Sequence, residues 1–94
     1  MEFVFEWDRR KAWINAAKHG VSFEEALTVF ADPLARIFDD PAHSTGEVRE
    51  IIVGHSRRRR LLVVSFTERG DAVRIVNARR ATKNERYDYE ERSG

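Results

Sequence analysis

One short segment of the chain, residues 73–89, brings together residue types that bind phosphate and move protons. An apolar strand pattern leads into Arg79 and Arg80, and a helix pattern follows at once. That helix opens with Thr82 and has Glu85 three residues later, which is the spacing of a capping box. Guanidinium groups beside a helix N-terminus form a natural receptor for phosphate. The segment is therefore a candidate for holding or cutting RNA, although the same residues could simply close the fold.

Arg79 and Arg80 are the candidate cations for the negative charge that builds on a phosphate during cleavage. Guanidinium is always charged and contacts phosphate through two parallel hydrogen bonds. On a strand the two side chains point to opposite faces, so only one is expected to enter a cleft. Regular alternation would place Arg79 on the face of Val73 and Ile75, and Arg80 on the other face. In the alternative interpretation, one arginine pairs with Glu85 or with an acidic residue of the first half.

Glu85, Arg86 and Tyr89 each have a functional and a structural interpretation on the predicted helix. Glu85 is the nearest candidate base, but capping, which we favour, would direct its carboxylate to the backbone N–H of Thr82. Tyr89 lies one helical turn after Glu85, where it could donate a proton, stack on a base or pack on the sheet. Arg86 is either a phosphate ligand or a surface charge.

His19 and His55 are candidate acids or bases, because histidine ordinarily titrates near neutral pH. Lys18 and His19 end the first predicted helix, where positive charge interacts favourably with the helix dipole. That structural role is the default for His19, and a role in the site is the alternative. His55 ends a predicted strand next to an arginine run and could serve as acid or base. His43 lies in a polar loop and is expected to be exposed to solvent.

Basic residues are concentrated in the second half of the chain. Residues 1–48 carry 5 Lys/Arg and 9 Asp/Glu, whereas residues 49–94 carry 12 Lys/Arg and 7 Asp/Glu. A basic surface on a nearly neutral chain favours an anionic partner that is met by one face. Four adjacent arginines, Arg57–Arg60, repel one another, and phosphate contacts would relieve that repulsion. A solvated surface that happens to be rich in arginine is the alternative.

The composition and motifs exclude several classes of function. The chain has no cysteine, which excludes disulfides and cysteine metal sites. A Gly-rich phosphate loop, a serine nucleophile elbow and a His-Glu-x-x-His pair are all absent. The histidines and neighbouring aspartates lack any recognised spacing of metal ligands, so neither a metal nor another cofactor is expected. Since no signal peptide or membrane-spanning apolar run is present, we expect a cytoplasmic protein with no membrane partner.

The elements that position these residues predict one small α+β domain over residues 1–94. A strand pattern in Phe3–Trp7 precedes two helices, over residues 9–18 and from Phe23 to about Phe30. The order β-α-α-β-β-β-β-α with short later loops predicts a small antiparallel sheet of about five strands. Two N-terminal helices and one C-terminal helix cover it. The later elements are the strands Leu34–Phe38, Glu47–Ser56, Leu61–Thr67 and Ala72–Ala78 and the helix Thr82–Arg92.

Motifs from about residue 3 to residue 91, nearly the whole chain, carry a family resemblance. They are Phe5–Asp8, Asn15, Lys18–Ala26, Val29–Pro33, Glu47 with Arg49, Arg74–Ala81, and Glu85-Arg-x-x-Tyr89. In this order the motifs resemble the BrnT toxins of type II toxin–antitoxin systems. The resemblance implies a compact fold related to the RelE ribonuclease toxins. It also implies ribonuclease activity and a tight complex with a BrnA-type antitoxin that binds operator DNA.

Three hypotheses for the function remain after this resemblance, and the third is a structural or protein-interaction domain with no contact to nucleic acid. Physical interpretation alone favours a non-catalytic nucleic-acid-binding or corepressor module, because a basic surface is common and no complete acid–base set is visible. The resemblance instead favours a metal-independent endoribonuclease toxin that cleaves RNA, inhibits translation and growth, and is neutralised by its antitoxin. The candidate catalytic residues are then Arg79, Arg80, Glu85, Tyr89 and His19, and the candidate RNA-binding residues are Lys18, His55, Arg57, Arg58 and Arg86.

Overall fold

The computed structural model describes residues 4–93, and its main elements follow the predicted order β-α-α-β-β-β-β-α. The α+β class is therefore confirmed, and Phe3 of the first predicted strand lies outside the described residues. Two short 3₁₀ helices, Thr28–Ala31 and Pro41–His43, accompany the main elements. The strands are β1 (Val4–Glu6), β2 (Arg36–Asp39), β3 (Arg49–His55), β4 (Leu61–Arg69) and β5 (Ala72–Arg80), and the helices are α1 (Arg9–His19), α2 (Phe23–Leu27) and α3 (Lys83–Ser93).

The strands form one sheet in the spatial order β1-β5-β4-β3-β2. Strands β2 to β5 pair antiparallel with their chain neighbours, which confirms the predicted meander. The exception to the antiparallel prediction is β1, which pairs parallel with β5 from Val4 opposite Ala72 to Glu6 opposite Arg74. The alternation of apolar residues along a strand indicates which side chains are buried. It does not indicate whether the strand runs parallel or antiparallel to a neighbouring strand that is distant in sequence.

The hydrophobic core lies on one face of the sheet, here called the helical face, beneath α1, α2 and the Thr28–Ala31 turn. Phe23, Ala26 and Val29 from this layer are fully buried. They pack against alternate residues of the central strands, because every second side chain of a strand points to the same face. The sheet residues of the core are Ile52, Leu62, Val64, Phe66, Val73, Ile75 and Ala78.

Within residues 4–93, none of the helices has the length and apolar character needed to span a membrane.

A β-bulge in β5 changes which face its arginines occupy. Phe66 of β4 pairs with Ile75 and Ser65 pairs with Asn77, so one residue of β5, Val76, has no partner in β4. The bulge reverses the alternation beyond it. Arg79 consequently lies opposite Val63 on the face away from α1 and α2, not on the face of Val73 and Ile75 as regular alternation predicts. That expectation is wrong because regular alternation assumes that every residue of β5 has a partner in β4, and Val76 has none.

The side chain of Asn15 completes the edge of β5 where β1 has ended. Its amide nitrogen donates to the carbonyl of Ala78 at 2.8 Å, and its oxygen accepts the Ala78 N–H at 3.1 Å. The same amide donates to the carbonyl of Val21 at 2.9 Å and accepts from the Asn77 side chain at 3.2 Å. All the hydrogen-bonding capacity of this buried amide is therefore used.

Replacing Asn15 with alanine should destabilise the domain strongly. The substitution leaves buried backbone groups of Ala78 and Val21 without partners, so we expect the free energy of unfolding to fall by roughly 2–4 kcal/mol. Asn84→Ala is the matched control, because Asn84 is exposed on α3. It should change the free energy by less than about 0.5 kcal/mol. Urea unfolding of both variants measures the difference, and equal values would show that the Asn15 amide contributes no net stability.

Candidate active site

The face of the sheet opposite α1 and α2, here called the open face, carries a groove. Two adjoining cavities of about 320 and 440 Å³ form it, and they share Ile51, Val63 and Arg79. The floor is apolar, because the side chains that form it are Ile51, Val53 and Val63. Helix α3 borders one end of the groove, and the loop between β2 and β3 borders the other. A flat apolar floor with polar walls suits a ligand that combines rings and charges.

Cationic side chains from four different elements line this groove: Lys11, Arg36, Arg49 and Arg79. Arg49 is of special interest, because its Nε atom is buried and has no hydrogen-bond partner among residues 4–93. A buried donor without a partner is costly, so an anion that accepts from it would be bound favourably. Arg49 is therefore a candidate receptor for a phosphate oxygen.

Arg79 and Glu85 form a two-point ion pair at the wall of the groove, with nitrogen–oxygen distances of 2.8 and 2.9 Å. Glu85 also caps α3, because it accepts the Thr82 N–H at 2.8 Å while the Thr82 hydroxyl accepts the Glu85 N–H at 3.2 Å. The hydrogen bonds from Arg79, with those from Thr82, lower the pKa of Glu85 to about 2. So acidic a carboxylate is a weak proton acceptor near neutral pH, which favours the capping interpretation of Glu85 over the catalytic one.

Tyr89 packs against the open face and is buried. Its hydroxyl donates to the carbonyl of Leu34 at 3.0 Å, which ties α3 to the segment before β2. Its ring lies 5.7 Å from the His55 ring in a near-perpendicular arrangement. The structure thus shows the packing interpretation of Tyr89, and it brings the predicted residue His55 beside the α3 end of the groove.

Asp32 holds the backbone at His55. Its carboxylate accepts the N–H of His55 at 2.7 Å and that of Leu34 at 3.0 Å. Burial works against the charged form, but these N–H groups outweigh it and hold the pKa of Asp32 below its usual range. The His55 ring is half exposed, and its Nδ1 lies 3.8 Å from Asp32. His55 is therefore positioned by its backbone and by Tyr89.

Arg80, Lys18 and His19 lie away from the Arg79–Glu85 pair. Arg80 is exposed and pairs with Leu62, which belongs to the helical face. Lys18 and His19 line a smaller cavity around the outer edge of β5, which shares Lys11, Val76 and Asn77 with the groove. The helix end that carries them faces this edge. The roles assigned to these three residues from the sequence stay predictions, and the groove itself does not include them.

The arginine run is divided between structure and solvent. Arg60 binds the buried carboxylate of Glu25 through two nitrogens and also donates to the carbonyl of Gly20 at 3.0 Å, which fastens the β3–β4 hairpin to α2. Its guanidinium holds the pKa of Glu25 below the usual range, against the opposing effect of burial. Arg57 and Arg58 are exposed near the tip, and Arg58 lies 3.7 Å from Glu25. An RNA contact by either arginine stays a prediction.

Arg86 lies half-buried on α3, directly after Glu85, and its predicted RNA contact also stays a prediction.

The sequence patterns did not single out Arg49, Asp40 or His43, which the structure brings to the groove. The alternation of β3 was a signal for Arg49, because Arg49 lies on the same face of that strand as the floor residue Ile51. For Asp40 and His43 no comparable signal existed, because a polar loop pattern gives no position in space. Within the described residues, no group of three or more His, Asp or Glu side chains is arranged to hold a metal ion.

The sequence model of the family described as "Ribonuclease toxin, BrnT, of type II toxin-antitoxin system" matches residues 7–85. The chain belongs to the BrnT family. The crystal structure of the Brucella abortus ribonuclease toxin BrnT superposes with a TM-score of 0.69 and 22% sequence identity, covering 87% of this chain and 100% of that one. The predicted resemblance is confirmed, and the Brucella structure supports the same fold. A search of curated proteins finds no match.

Glu85→Ala should destabilise this BrnT-family domain by about 1 kcal/mol at neutral pH, the usual contribution of a helix cap. Because the folded pKa of about 2 lies below the ordinary value of 4.5, this contribution is present above pH 4.5 and is lost as the pH falls towards 2. Denaturant unfolding at several pH values measures it, with Glu90→Ala on the same helix as control, since Glu90 is exposed. A gap between the variants that stayed constant down to pH 2 would contradict the assignment.

Proposed function

We propose that this BrnT-family chain is a metal-independent endoribonuclease, and that the groove on the open face is where it binds and cleaves RNA. The observation that carries the proposal is that Arg49 and Arg79 line one groove over an apolar floor. Guanidinium groups bind phosphates, and the flat floor suits the rings of unpaired bases. The family description of a ribonuclease toxin supports the same class of activity.

The chemistry expected at this site uses the ribose itself as nucleophile. The 2′-oxygen loses its proton and attacks the adjacent phosphorus, and the bond from phosphorus to the 5′-oxygen of the next nucleotide breaks. The products are a 2′,3′-cyclic phosphate and a 5′-hydroxyl. Negative charge grows on the non-bridging oxygens as the new bond forms, so fixed cations lower the barrier.

The two groove arginines are suited to different parts of this task. Arg49 has a buried Nε without a described partner, so it is the proposed direct ligand of the phosphate. Arg79 is held by Glu85 through both terminal nitrogens. This ion pair fixes the guanidinium at the groove wall and so sets the direction of its remaining N–H groups. Such pre-positioning lowers the cost of organising the site around the substrate.

In the cell, the proposed activity would act in the cytoplasm, where cleavage of RNA inhibits translation and growth. The type II system named by the family implies an antitoxin partner. We propose a BrnA-type antitoxin that binds operator DNA, so that this chain meets DNA only indirectly. The non-catalytic binding module remains the competing hypothesis, and it is favoured by the low pKa of Glu85, which weakens the nearest candidate base.

Cleavage of RNA by the purified protein in EDTA tests the proposal. Arg49→Ala and Arg79→Ala should each lower the rate by about 10²-fold or more, as loss of a group that stabilises transition-state charge does. Arg80→Ala is the matched control, because the neighbouring arginine lies on the other face of β5, and it should cleave as fast as the wild type. Thermal unfolding of each variant separates loss of the site from loss of the fold.

Four results would count against the proposal. Wild-type protein that leaves RNA intact in EDTA and does not slow growth when expressed would overturn it. RNA that is bound but not cut would support the binding module instead. Equal rates for Arg80→Ala and Arg79→Ala would show that the open face is not the site. Binding with little salt dependence would argue against phosphate contacts altogether.

The antitoxin should inhibit by covering the groove. We expect its apolar side chains to fill the floor at Ile51, Val53 and Val63, and its acidic side chains to pair with Arg49 and Arg79. Displacement of labelled 2′-O-methyl RNA by the antitoxin measures this competition. A structure of the complex in which the groove stays open, with Arg79 exposed, would contradict the prediction.

A further inference from the structure

We infer that the Asp40–His43 pair supplies the general base of the groove, with His43 as the catalytic residue and Asp40 as its positioning residue. This inference rests on the proposed ribonuclease function and deepens it, because that proposal names cations but no proton acceptor. The pair lies in the loop between β2 and β3, which contains the Pro41–His43 turn.

The first observation is the geometry of the pair. The Nδ1 atom of His43 lies 3.0 and 3.1 Å from the two carboxylate oxygens of Asp40. A carboxylate only accepts hydrogen bonds, so Nδ1 carries a proton, and the neutral form of this imidazole has its lone pair on Nε2. The Asp40 side chain is 13% exposed, whereas the His43 side chain is 67% exposed. A sheltered carboxylate thus orients an accessible imidazole, which is the arrangement a histidine base requires.

The second observation is that the loop is fastened to the strand residue that carries the phosphate-binding cation. The backbone N–H of Asp40 donates to the carbonyl of Arg49 at 3.0 Å. The hydroxyl of Ser44 donates to the carbonyl of Asp40 at 2.7 Å and accepts the N–H of Arg49 at 2.9 Å. These bonds fix the His43 loop relative to Arg49. These hydrogen bonds therefore hold the loop of the proposed base, His43, in a fixed position relative to the proposed phosphate ligand, Arg49.

The third observation is the position of the pair relative to the other candidates. Asp40 and His43 line the same cavity as Arg49, Arg79 and Lys11. Of the other two histidines, His19 lies at the end of α1 on the outer edge of β5, and the His55 ring packs against Tyr89. His43 is thus the histidine that shares a cavity with both groove arginines.

In the proposed step, Nε2 of His43 takes the proton of the ribose 2′-hydroxyl while the 2′-oxygen bonds to phosphorus. The bond from phosphorus to the 5′-oxygen breaks, and that oxygen takes a proton from water. Asp40 stabilises the imidazolium that forms, as a carboxylate paired to a catalytic histidine does. Arg49 faces the charge on the non-bridging oxygens.

The experiment compares His43→Ala, Asp40→Asn and Thr45→Ala with the wild type in the EDTA cleavage assay. His43→Ala should lower kcat by about 10²- to 10⁴-fold, the usual contribution of a general base, while its affinity for 2′-O-methyl RNA stays at the wild-type value. Added imidazole should restore part of the lost rate. Asp40→Asn should lower kcat by about 10- to 100-fold with KM unchanged, as expected for loss of a partner that orients a histidine. Thr45→Ala, exposed in the same loop, should behave as wild type.

The possible outcomes separate this inference from the proposed function. If the wild type cleaves and His43→Ala cleaves equally fast, the inference is wrong and the ribonuclease proposal stands. If His43→Ala loses RNA affinity along with rate and imidazole restores nothing, His43 is a binding residue and the inference is again overturned. If the wild type does not cleave in EDTA, the ribonuclease proposal fails and this inference fails with it.

Discussion

The hydrogen bonds of Asn15 are the constraint on which the arrangement of this domain depends. Strand β5 has a strand neighbour on its outer side only as far as Arg74, because β1 is three residues long. Beyond that point the Asn15 amide takes the place of a strand, joining α1 and the turn at Val21 to the backbone of Ala78. Arg79 is the next residue after Ala78 and lines the wall of the groove. The hydrogen bonds that hold Ala78 to Asn15 of α1 therefore also help to position Arg79.

Part of the positive charge in the second half of the chain is neutralised within the fold. Several arginines of the basic second half pair with carboxylates elsewhere in the fold, including Arg60 with Glu25 and Arg74 with Glu6. These pairs join elements distant in sequence, and neither pair lines the groove. The basic composition therefore overstates the anion-binding surface. What remains for a ligand is a small set of groove cations, among which Arg49 has a buried, unpartnered nitrogen within residues 4–93.

Local patterns predicted the elements well, because caps and alternation involve residues close in sequence. The Thr82–Glu85 capping box formed as expected. Contacts between distant segments could not be predicted in this way. The parallel pairing of β1 and the loop that brings His43 to Arg49 depend on the assembled fold, which no single window of sequence describes.

The bulge at Val76 has a consequence for how related chains can differ in length. Because Val76 has no partner in β4, removing it would join Ile75 to Asn77, two residues that already point to opposite faces. The strand would become regular while Arg79 kept its place beside Val63. Where the alternation is already regular, one added or lost residue reverses every side chain beyond it. A single-residue gap in an alignment of β5 is thus physically admissible at Val76, and such a gap would preserve the groove.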